Sequence, residues 1–205
     1  MEKHFIINIG RQFGSGGKDI AVELGEMLGV KVYDNKLIVA AAEQSGLSST
    51  LFENNDETTD FLHIGNMFGG NRFYSTKAFN SNTLFQIQSE TIRKIAEGES
   101  AIFVGRASDY VLRDMDCCLD VFVSANIEDR ILRIARRNGI SEKEAESLMI
   151  KKDKSRKQFY DFVTMGDHWG VASNYDLCIN SSRSGIKDSA AFILEYGRAL
   201  NIIPR

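Results

Sequence analysis

The feature that most constrains this chain is a junction near its start. An apolar run at residues 5–9 meets a glycine-rich stretch at residues 10–19, read G-R-Q-F-G-S-G-G-K-D, which opens a segment of helical period at residues 17–28. Strand, glycine loop, helix is the arrangement in which successive backbone N–H groups can turn onto one anion, with the positive end of the helix behind them. The rest of the chain repeats the alternation. Candidate strands fall at 30–33, 101–104, 119–123 and 176–179, and candidate helices at 36–45, 83–97, 127–138, 142–157 and 187–200. Ser141 followed by Glu144 is a capping-box signal for the helix at 142–157. Strands alternating with helices predict an α/β fold, a mostly parallel sheet covered on both faces. There is a single proline, Pro204, with no internal repeat and no obvious linker, so one domain over residues 1–205 is expected.

Two regions fit the sheet poorly. Residues 46–82 are polar and carry Asn54-Asn55-Asp56 and Gly69-Gly70-Asn71. Residues 139–175 carry a charged helix and then an aromatic, glycine-containing loop. Ligands of doubly wound sheets bind beyond the carboxyl ends of the strands, and long insertions there act as substrate flaps and lids. A formal net charge of −3 argues against a broad nucleic-acid surface, which is usually basic. Cys117, Cys118 and Cys178 have no disulfide or metal spacing and read as buried, reduced residues of strands. No signal peptide or membrane-spanning run is expected, which suits a cytoplasmic protein.

The glycine loop departs from the standard phosphate-binding pattern G-x-x-x-x-G-K-[ST]. In one register Lys18 is the lysine, Gln12 replaces the first glycine and Asp19 the hydroxyl. In the other, preferred because it keeps the spacing from the strand, Arg11 replaces the first glycine, Gly17 stands at the lysine position and Lys18 comes one step late. Gly14, Ser15, Gly16, Gly17, Lys18 and Asp19 are the candidate phosphate-binding residues in either case. Asp19 could ligate magnesium directly or through water.

Other candidates lie further along. Gly105-Arg106 follows a strand at the ligand edge, where a guanidinium can grip phosphate with two hydrogen bonds. Arg130, Arg133 and Arg137 share a helical face, and Asp153-Lys154-Ser155-Arg156 opens the suspected lid. Asp34 ends the second strand, either orienting a substrate or capping the next helix. His4, His63 and His168 are scattered without metal-ligand spacing, no serine has a paired histidine, and Trp169 reads as packing within the lid loop.

These residues resemble the cytidylate kinase-like family of P-loop nucleoside monophosphate kinases. The carrying segments are IGRQFGSGGKDIAVELGEMLGV, VYDNKLI, AIFVGRASDYVL, the DKSR stretch and NYDLCINSSRSGI, which run nearly end to end in the expected order. The resemblance implies a P-loop NTPase-type three-layer fold with a five-stranded parallel sheet, an acceptor-binding insertion near 46–82 and a helical lid near 139–175. It implies ATP and magnesium as cofactors and a nucleotide as substrate, with no nucleic-acid polymer and no membrane as partner; oligomeric state stays open. ATP phosphates would sit on the loop from Gly14 to Lys18, with Arg130 or Arg133 near the ATP base or phosphates. The acceptor would lie between Asp34, the insertion and Arg106, and Arg156 would close over the transferred group. Lys18, Arg106 and Arg156 are then the expected catalytic residues. The family's arginine after the second-strand aspartate falls on Ala40 or a neighbouring apolar residue here, and Lys36 and Arg72 are its possible replacements. Three activities follow from these features: a kinase for CMP or dCMP, a kinase for another small acceptor, or a nucleotide-binding regulatory protein without catalysis.

Overall fold

The computed structural model describes residues 4–44, 81–166 and 168–205. Its elements run β1 (Ile6–Arg11), α1 (Gly17–Leu28), β2 (Lys31–Tyr33), α2 (Asn35–Gln44), α3 (Ser81–Gly98), β3 (Ala101–Val104), α4 (Ser108–Val111), β4 (Cys118–Ser124), α5 (Ile127–Asn138), α6 (Glu142–Val163), β5 (Leu177–Asn180) and α7 (Ser181–Ala199). The five strands form one parallel sheet in the order β2-β3-β1-β4-β5. The fold is the expected three-layer α/β arrangement.

Burial on both faces explains why β1 is a nearly unbroken apolar run. Ile7 and Ile9 pack with Ile20, Ala21 and Leu24 of α1 and Ala190 and Ile193 of α7. Ile6 turns the other way, onto Ile38 of α2, Ile92 of α3 and Leu112. All three β1 isoleucines are fully buried, each worth about 1.5–3 kcal/mol against exposure. β1 is central, and the chain leaves it first for β2 on one side and later, through β3, for β4 on the other. That reversal opens a crevice beyond the carboxyl ends of β1 and β3, where doubly wound sheets take their ligands.

Several details differ from expectation. The helix at 142–157 continues to Val163, because Phe159, Tyr160 and Val163 find an apolar seat against Ala107 and Phe85. The last helix begins at Ser181, capped by Asn180, and kinks at Gly185. The single turn α4 was not foreseen. Cys117 and Cys118 are half-buried, but Cys178 lies on the edge strand β5 and is exposed, contrary to the expectation that all three are buried. Most of the insertion at 46–82, with Arg72 and His63, lies outside the described residues. Among the described residues no helix is long and apolar enough to cross a membrane.

Candidate active site

The loop between β1 and α1 is held by its carbonyl oxygens. Arg156 Nη1 donates to Arg11 O at 3.0 Å, Ser15 Oγ to Gln12 O at 2.9 Å and Arg130 Nε to Phe13 O at 2.8 Å. Arg133 Nη1 donates to Gly14 O, and Ser181 Oγ to Ser15 O. Five consecutive carbonyls are thus engaged. By contrast, no acceptor among the described residues takes the amides of Gly14, Gly16, Gly17, Lys18 or Asp19. A loop with occupied carbonyls and open amides at a helix N-terminus is suited to an anion.

Two of its supports come from α6. Asp153 accepts from the Phe13 amide at 2.7 Å through one carboxylate oxygen and pairs with Arg130 through the other. Arg156, three residues on, reaches Arg11 O and sets its guanidinium over the Phe13 ring, 5.3 Å from the centroid. The D-K-S-R stretch therefore sits on the loop itself, as the i, i+3 spacing of a helix allows.

Beside the loop lies a cavity of about 340 Å³, open at one end of the crevice. Arg11, Arg106 and Arg156 line it together, with Phe159, Trp169 and Tyr175 as an aromatic wall. Trp169 does more than pack within its loop: it meets Phe122 of β4 edge-on at 5.4 Å. Arg106 follows Gly105 in a turn where residues 105, 106 and 107 all have positive φ, at 76°, 65° and 52°. Left-handed backbone at an arginine is strained, and such strain concentrates at functional sites. Burial, and then the charges of Arg156 and Arg106, lower the Arg11 pKa to about 9; burial and Arg156 lower Arg106 to about 10. Burial lowers Arg156 as well, but guanidinium groups keep their proton in proteins, so the cavity carries concentrated positive potential.

The remaining expected residues divide. Lys18 Nζ lies 2.7 Å from Asp34 Oδ2 and is committed there. The other Asp34 oxygen accepts from the Lys36 and Leu37 amides at 3.0 and 3.2 Å, capping α2. Burial raises the Asp34 pKa, but Lys18 and the Leu37 amide outweigh it and leave the group below its ordinary value. Arg130 and Arg133 brace the loop from outside, and the Lys36 side chain is exposed. From the sequence, Arg11 stands out only as the occupant of a glycine position. A cation at that position marks the loop as unusual, but where the Arg11 side chain reaches depends on β3 lying beside β1.

The same residues bear on where a magnesium ion could be held. The hydroxyl of the standard motif is replaced by the Lys18 ammonium in one register and by Asp19, paired with Arg137 at 3.1 Å, in the other. Ser15 is fully buried with its hydroxyl already donating. No cluster of three or more metal-ligating side chains exists among the described residues. The described side chains therefore offer no preformed cage of three or more ligands, and a magnesium ion here would rely on substrate phosphates and water for most of its coordination.

The chain is similar to known proteins along most of its length. A model of the cytidylate kinase-like family matches residues 6–183. A cytidylate kinase from Methanopyrus kandleri is 27% identical over 183 residues, covering 87% of this chain and 85% of that protein. Among solved structures, an uncharacterized protein from Eubacterium ventriosum has a TM-score of 0.72 at 26% identity, covering 94% of this chain and 98% of its own. A shikimate kinase from Acinetobacter baumannii has a TM-score of 0.53 at 11% identity, covering 98% of this chain and 97% of its own. At that identity the likeness is one of fold alone.

Proposed function

This chain belongs to the cytidylate kinase-like family, and on that premise we propose that it transfers the terminal phosphoryl group of ATP to a nucleoside monophosphate, with CMP or dCMP as the leading acceptor. The observation that carries the reading is the convergence of Arg11, Arg106 and Arg156 on a cavity beside a loop with open amides.

Phosphoryl transfer asks mainly for positioning and charge neutralisation. The amides of Gly14, Gly16, Gly17 and Lys18 receive the donor phosphates, and the carbonyl anchors keep that cradle rigid. The acceptor's phosphate carries close to two negative charges at pH 7, so its oxygen is already a nucleophile and no side-chain base is required. That oxygen bonds to the terminal phosphorus of ATP as the bond to the bridging oxygen breaks, leaving ADP and a nucleoside diphosphate. Arg106 grips the acceptor phosphate and Arg156 neutralises the group in flight. Asp34, held by Lys18, faces the acceptor side, and Lys36 and Arg72 are proposed to border it. Magnesium would enter with ATP and would neutralise part of its phosphate charge. The aromatic wall of Phe159, Trp169 and Tyr175 gives an acceptor base a face to stack on. The reading places the protein in the cytoplasm, where its free cysteines stay reduced.

The test is an ADP-release assay with ATP and a panel of nucleoside monophosphates. Turnover highest with CMP or dCMP supports the reading. ATP use only with a non-nucleotide acceptor would move the assignment to another small-molecule kinase on the same fold.

A further inference from the structure

We propose that Arg11 performs the phosphate-gripping task of the missing loop lysine, through an exchange between positions 11 and 17. This rests on the kinase reading above and deepens it. The standard motif has glycine at the first position and lysine at the seventh; in the preferred register these are 11 and 17, where this chain has arginine and glycine. The two substitutions are sterically one. A Cβ at Gly17 would stand 2.7 Å from Arg11 Cβ and 3.1 Å from Cγ, so a lysine could not leave position 17 while Arg11 is present. The Arg11 stem fills the space through which that lysine would pass.

The far end of the side chain is equally confined. A Cβ at Gly105 would lie 1.7 Å from Arg11 Nη1 and 2.8 Å from Cζ. Arg11 thus runs from the end of β1, past the first turn of α1, to the end of β3, and its fork emerges in the cavity with Arg106 and Arg156. Arg130, Arg133 and Arg156 each donate to a loop carbonyl, but no acceptor among the described residues is hydrogen-bonded to the Arg11 guanidinium. Lys18, the other basic residue of the loop, is held by Asp34. A charged fork without a hydrogen-bond acceptor, in a cavity beside open amides, is matched to a phosphate group, which guanidinium binds with two parallel hydrogen bonds.

The test measures ATP affinity by titration calorimetry and turnover by ADP release, on full-length variants whose folding is checked by thermal unfolding. Arg11→Met keeps the stem and removes the charge. It should weaken ATP binding about tenfold or more and slow turnover about 10²-fold, the usual effect of removing one positioned donor. Arg11→Gly with Gly17→Lys rebuilds G-x-x-x-x-G-K over residues 11–17 and should recover most of what Arg11→Gly alone loses. Gly17→Lys alone should behave as badly as the loss of Arg11. The proposal is overturned if Arg11→Met stays within threefold of wild type in both measurements, or if a folded exchange variant is no better than Arg11→Gly. Should the exchange variant not fold, Arg11→Met decides. Failure of the kinase reading looks different: wild type then turns over no monophosphate, while ATP affinity still separates the variants.

Discussion

Arg11 owes its place to two missing side chains, at 17 and at 105. Gly105 has a positive φ, and a Cβ added there would come nearer to a neighbouring atom than at any other described glycine. Gly105→Ala should therefore displace the guanidinium and lower turnover by about 10²-fold, as Arg11→Met does; thermal unfolding measured alongside separates this from misfolding. A second residue carries a pH dependence. Asp120 on β4 accepts from Asn8 Nδ2 at 2.8 Å. Burial raises its pKa to about 6; the Asn8 hydrogen bond opposes this, and the charges of Asp109 and Asp176 add to it. Between its unfolded value near 3.8 and about 6 the folded state binds more protons than the unfolded state. Its contribution to stability is therefore greatest below the lower value and declines as pH rises through the upper one. Asp120→Asn removes the decline. The variant should gain about 1–2 kcal/mol over wild type between pH 4 and pH 7 in urea denaturation; a difference independent of pH would contradict the assignment.

At the scale of elements, α6 is both a helix that stands on its own signals and a brace for the loop. Its start has the expected capping box: Ser141 N donates to Glu144 Oε2 at 2.9 Å and Glu144 N to Ser141 Oγ at 3.3 Å. Ser141→Ala should cost about 1 kcal/mol, with little change in turnover. Asp153→Ala should cost more, about 3 kcal/mol, because it strands the buried Arg130 guanidinium and frees the Phe13 amide, and turnover should fall with it. Chemical denaturation and the ADP-release assay on both variants check the contrast. The contrast also marks what could be read in the sequence. Capping, periodicity and strand runs are local, and they placed α1, α5 and the start of α6 correctly and β1 to within two residues. The extension of α6 to Val163 depends on an apolar seat from Ala107 and Phe85, more than fifty residues away in the chain, and nothing local announces it. The same holds for the site. The amide cradle was legible because glycines and a helix start are contiguous. The role of Asp153 as a loop anchor, the commitment of Lys18 to Asp34 and the reach of Arg11 are set by which strand ends lie side by side.

For the whole molecule, strand order is what brings these parts together. With β1 between β3 and β4, the glycine loop at 12–16, the turn at Gly105-Arg106 and the face of α6 that carries Asp153 and Arg156 meet at one edge of the sheet. Both faces of the sheet are packed, so this edge is where a ligand can enter without opening the core. The central claim is that the edge is a phosphoryl-transfer site for a nucleoside monophosphate. The most direct measurement is ADP release by the full chain with ATP, magnesium and each of the common ribo- and deoxyribonucleoside monophosphates. The account predicts acceptor-dependent turnover, highest with CMP or dCMP and reduced about 10²-fold by Arg11→Met. Folded protein that binds ATP but turns over no monophosphate above its rate without acceptor would contradict it.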